Sequence, residues 1–193
     1  VVAKARTRDP LALARELSLA GLLGALGLLL PVGFHALGWG GKIFLPMHLP
    51  VLVAGFVVGP GAAASVGLIV PLLSSLLTGM PPMSPPLALL MSAELTVKAA
   101  VASVLYRRLR LNFWVALAGA LIADWAVLAL AAVAAGRFFA IHAPPVRYVA
   151  AALALSWPGT ALQIIGAPLG VAAIERRVPR LVAARRRGSG EEG

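Results

Sequence analysis

Three ionisable residues stand inside otherwise apolar stretches of this chain: Glu94, Lys98 and Asp124. Glu94 and Lys98 are four residues apart with the acid first, a spacing that stacks them on one helix face and favours their pairing. Charged groups in a hydrocarbon setting are rare and usually face a bundle interior or a cavity. These three could form an internal ion pair with a hydrogen-bonded aspartate joining helices. They could equally form the floor of a pocket that holds a small polar ligand. Other polar and aromatic side chains fall at similar depth: His48, Ser74, Ser75, Thr78, Trp125, Ser156 and Trp157. Taken together they read as a cavity half polar and half aromatic, as small-molecule sites tend to be. Taken singly, the histidine reads as a satisfied interfacial residue and the serines as links between helices.

Catalysis finds no support in the motifs. Gly41-Lys42 lacks the upstream glycine of a phosphate loop, and neither an H-E-x-x-H pair nor a G-x-S-x-G elbow is present. Cysteine is absent, which removes disulfides, thiolate metal sites and a cysteine nucleophile. No histidine and carboxylate set has metal spacing, so neither a metal nor a cofactor is expected. An intramembrane enzyme using Glu94, Lys98, Asp124 or His48 for acid–base work is the weaker alternative.

The elements that position these residues follow from composition. Hydrophobic residues make up 60% of the 193-residue chain and charged residues 12%. A water-soluble domain of this size could not hide so much apolar side chain, so the solvent for most of the chain is lipid. A helix crosses the hydrocarbon core with about 20 apolar residues. The expected fold is an all-α integral membrane bundle of six crossings, near 17–37, 46–58, 62–79, 87–106, 113–135 and 146–174, the second of them short. The first is expected to remain as a membrane helix rather than to be removed as a signal. Met80-Pro81-Pro82-Met83-Ser84-Pro85-Pro86 forbids helix between the third and fourth, and Pro158-Gly159 and Pro168 should bend or interrupt the sixth.

The net charge of +10 would suggest nucleic acid on a soluble protein, but the basic residues flank apolar spans. Lys4, Arg6, Arg8 and Arg15 precede the first span, Arg107, Arg108 and Arg110 follow the fourth, and Arg176, Arg177, Arg180 and Arg185 to Arg187 follow the sixth. Only Lys42, Arg137 and Arg147 lie on the other side. The positive-inside rule then places both termini in the cytoplasm, with a cytoplasmic segment 1–16, a membrane domain 17–174 and a basic tail 175–193. No nucleic-acid partner is expected.

Small residues recur at helical spacing in the first span: Ala20 with Gly24, and Gly21 with Ala25. Such faces let another helix approach closely, within the bundle or from a partner subunit. The glycine-rich, aromatic segment 38–46, which contains Lys42, reads either as an interfacial loop anchored by Trp39 or as a lid over a site.

One wider pattern joins these features. The run from Phe44 through Pro46-Met47-His48 to Phe56, then Gly59-Pro60, then Pro71 to Pro82 with Ser74, Ser75 and Thr78, resembles the substrate-binding S components of energy-coupling factor (ECF) transporters. Glu94-Leu95, Leu105-Tyr106-Arg107, Pro158-Gly159 and Leu162-Gln163 fit the same pattern. The resemblance implies a six-helix subunit of the cell membrane that captures a vitamin or related micronutrient from outside. It further implies a transmembrane coupling subunit and two cytoplasmic ATPases as partners, docking on small residues of the first helix. Ligand would bind near the outer side, under the loop that holds Lys42 and leads to His48. The pattern departs at Asp124, where similar chains often carry arginine, so ligand identity does not transfer. A stand-alone secondary carrier or channel is the alternative reading, and six helices without an obvious inverted repeat are small for it.

Overall fold

A backbone in lipid finds no hydrogen-bond partners but its own, so long apolar runs close into helices. The computed structural model describes residues 10–36, 46–83, 87–138 and 145–177. The described residues form α1 (Pro10–Ala36), α2 (His48–Val57), α3 (Pro60–Thr78), α4 (Leu87–Ser103), α5 (Phe113–Phe138) and α6 (Pro145–Arg177). A π-helical turn, Val104–Arg108, continues α4. Helix α1 starts earlier than the expected position 17.

Five of the helices are long and apolar enough to cross a membrane, but α2 has only 10 residues. At 1.5 Å per residue it covers about 15 Å, half of the hydrocarbon core. The second span is therefore short, as expected from its limits at 46–58. Helix α6 is not interrupted: it is continuous from Pro145 to Arg177, with Pro158 and Pro168 inside it. Membrane helices tolerate interior proline because neighbouring groups and small local adjustments re-satisfy the freed carbonyls.

Contacts fix the directions. Helix α2 runs parallel to α4, since His48 meets Lys98 and Val57 meets Arg107, both pairs 50 residues apart. Helix α1 runs parallel to α3: Glu16 meets Gly59, 43 residues on, and Gly27 packs on Val70 at the same offset. Leu49 on Gly166 and Val53 on Gly170 align α2 with α6. Helices α4 and α5 form an antiparallel hairpin, with Lys98 against Asp124 and Leu105 against Gly119. One end of the bundle thus collects Arg15, Arg107, Arg108, Arg110, Arg176 and Arg177. The other end carries the α1–α2 and α3–α4 connections.

The core forms around α2, with nine of its ten residues buried, as expected of a helix that is apolar on every side. Its lower end packs into an aromatic trio, Phe56, Tyr106 and Phe113, with ring centroids 4.4 to 5.8 Å apart. Close helix approach depends on two glycines. A Cβ on Gly55 would lie 2.8 Å from the Ala102 Cβ and the Ala99 carbonyl, and one on Gly67 would lie 2.5 Å from the Leu95 backbone. Helix α3 ends where Gly79 takes φ of 72°, a left-handed cap that only glycine adopts without cost. The proline-rich stretch that follows is non-helical at residues 79–83, as its composition requires.

Gly67→Ala should therefore lower the thermal melting point in mild detergent, by an overpacking cost of about 1–3 kcal/mol. Gly21→Ala, whose added Cβ meets nothing within 4 Å, should leave it unchanged.

Candidate functional site

Lys98 and Asp124 stand at equal height because the α4–α5 hairpin turns between them through residues 109–112. The Lys98 ammonium is fully buried and forms an ion pair with Asp124 Oδ2 at 2.7 Å. It also contacts His48 Nδ1 at 2.8 Å and donates to Gln163 Oε1 at 3.0 Å. An ammonium carries three protons and no acceptor, so all three are occupied and His48 Nδ1 must accept. The histidine proton then resides on Nε2. Four helices, α2, α4, α5 and α6, are joined at this one nitrogen.

The sequence spacing favours a Glu94–Lys98 pair as one of two readings; in the structure Lys98 pairs with Asp124. Lys98 reaches sideways to Asp124, since the neighbouring helix supplies a carboxylate at the same height. Glu94, one turn further along α4, is buried and within electrostatic reach of both. Three buried atoms have no hydrogen-bond partner among the described residues: His48 Nε2, Glu94 Oε1 and Asp124 Oδ1. Leaving a buried polar group unsatisfied costs about 1–3 kcal/mol. Three around a single ammonium are poor structure if the only role is to hold helices together.

The other site candidates divide. Ser74 and Thr78 line a cavity of about 250 Å³ together with Pro31, Val32 and Met80, at the end away from the arginines. Their hydroxyls also hold the end of α3. Ser74 donates to the Met80 carbonyl at 2.7 Å, and Thr78 donates to the Ser74 carbonyl at 2.8 Å. Ser75 is buried, and its carbonyl accepts the Gly79 amide. Trp125 is 37% exposed and Trp157 68% exposed. They face the outside of the bundle, which corrects the picture of a half-aromatic cavity. Lys42 lies outside the described residues.

Sequence reasoning did not single out Gln163 as a site residue, although an amide in the middle of apolar α6 was a visible signal. It also missed a polar collar at the arginine end. There Glu16 accepts the Gly59 amide at 2.6 Å, Ser103 donates to the Val58 carbonyl, and Arg107 donates to the Val57 carbonyl. These bonds satisfy backbone groups left over where α2 ends and α3 begins.

The family model for the substrate-specific component of ECF transporters matches residues 15–174. The chain belongs to this family. No curated protein and no solved structure matches it. As an S component it is a multi-pass membrane protein and a transport subunit, not an enzyme.

In this S component the small residues of α1 fall on two faces. Ala20 is buried, and Gly24 and Gly27 face Val70 of α3. Gly21 and Ala25 are exposed, and nothing lies within 4 Å of a Cβ built on Gly21. The Ala20–Gly24 face is therefore internal packing, and the Gly21–Ala25 face remains open.

Lys98→Met should be strongly destabilising, by about 3–5 kcal/mol, because it leaves Asp124 charged and unpaired in the interior. The double variant Lys98→Met, Asp124→Leu should recover most of that loss in thermal unfolding, since a matched apolar pair needs no solvation.

Proposed function

We propose that this S component captures a vitamin-like micronutrient at the end of the bundle opposite the arginines. It then delivers the substrate together with a transmembrane coupling subunit and two cytoplasmic ATPases. The carrying observation is the interior network around Lys98, with unpartnered polar atoms on His48, Glu94 and Asp124. A binding subunit needs such groups in its interior, and a purely structural bundle does not. The cavity beside Ser74 and Thr78 supports entry from that end.

The clustered arginines set the orientation by the positive-inside rule, with both termini in the cytoplasm. Segments 1–16 and 175–193 then flank the membrane domain on that side. The exposed Gly21–Ala25 face of α1 is the docking surface for the coupling subunit, because small side chains let a partner helix come close. The absence of a phosphate-loop motif means that energy must come from the ATPases.

Purified protein should hold one small water-soluble molecule per chain, identified by mass spectrometry in mild detergent. His48→Ala and Glu94→Ala should weaken that binding while the bundle stays folded. Gly21→Leu should keep ligand capture but abolish ATP-driven uptake in vesicles with the coupling module. Gly24→Leu should instead strike Val70 and lower stability. Uptake by the isolated chain without ATP would establish the carrier reading instead.

A further inference from the structure

The Lys98 network constrains what can bind to it. Each Lys98 proton already has a partner, in Asp124, His48 and Gln163. The one cation in the middle of a span among the described residues therefore has no donor left for an incoming anion. What remains is two carboxyl oxygens, Glu94 Oε1 and Asp124 Oδ1, and one ring N–H, His48 Nε2. The residues that carry them are buried: His48 is 4% exposed, and Glu94 and Asp124 are each 8% exposed. The Asp124 carboxylate, paired with Lys98, only accepts hydrogen bonds, and Glu94 accepts through an oxygen that bears no proton.

From this we infer the chemistry of the substrate end that enters the network, resting on the capture role proposed above. That end is a hydrogen-bond donor, a protonated amine or an amino-substituted heterocycle, and not a carboxylate or phosphate. The donor meets Glu94 Oε1 and Asp124 Oδ1, and an acceptor atom beside it takes the His48 Nε2 proton. An anion placed there would face the Asp124 carboxylate across a low-dielectric gap. A bare metal ion fits less well, because no group of three His, Asp or Glu is gathered for one among the described residues.

The test uses the full chain in mild detergent, washed free of co-purifying molecules, and follows melting temperature and equilibrium binding. Thiamine and pyridoxamine serve as donor-bearing probes, and pantothenate, biotin and 4-pyridoxate as carboxylate probes. At least one donor-bearing probe should bind and stabilise the protein, and the carboxylates should not. Glu94→Gln should weaken that probe at least tenfold while leaving the unliganded melting point near the wild-type value, since Glu94 Oε1 has no protein partner to lose. His48→Gln provides a second variant, expected to weaken the same probe. Binding of a carboxylate probe as tightly as an amine, failure of both donor-bearing probes, or undiminished binding in Glu94→Gln would each overturn the inference. Carboxylate binding would leave the capture role standing. That role fails separately, through the absence of any co-purifying molecule and of ATP-driven uptake.

Discussion

A charge placed in hydrocarbon must bring its own solvation shell, and the rest of this bundle is arranged around that requirement. Lys98 is fully buried, so water cannot serve its ammonium group. Asp124, His48 and Gln163 stand in for the missing water, one from each of α5, α2 and α6. Without them the desolvation cost of the charge would be several kcal/mol. The three bonds also set the mutual height and rotation of four helices. Apolar packing in lipid sets these poorly, because lipid tails are as apolar as the helix surfaces they replace.

Helix α2 makes this arrangement possible by being short. Its first residue, His48, lies level with Lys98, and its last, Val57, lies level with Arg107. The helix therefore occupies only the half of the bundle nearest the arginines. Its N-terminal end places an imidazole at mid-depth, in the position a passing full-length helix would fill with backbone. Its C-terminal end is held by Ser103 and Arg107, and the following Gly59 amide is held by Glu16 of α1. Gly55 lets the helix lie directly on Ala99 and Ala102. A polar interior at one end and a fastened backbone at the other leave α2 little freedom to slide.

The network and the open face of α1 lie in two separate places, and the proposed capture and docking roles divide between them. Glu94, Asp124 and His48 look into the interior with unpartnered atoms, whereas Gly21 and Ala25 look outward from α1 with almost no side chain. The first leaves buried polar groups unsatisfied, which a self-contained structural bundle would avoid. Ser74 and Thr78 serve two purposes at once. They border the cavity and, through the Met80 and Ser74 carbonyls, keep the end of α3 in shape.

The residues alone determined that the chain is helical, that it resides in a membrane, that its arginines lie at one end, and that three charges stand inside. Each of these depends on composition or on short-range spacing. The pairing of Lys98 with Asp124 was within reach of the sequence once α4 and α5 are joined by a short turn. The i,i+4 match with Glu94 concealed it. Only the tertiary structure decided that Gln163 completes the shell and that Gly21 rather than Gly24 faces outward. In water, an apolar stripe on a helix reveals which side is inside. Here both sides of each helix are apolar, so rotation about the axis leaves almost no trace in the pattern. It is set by the few polar contacts between helices, and those exist only once the helices have come together.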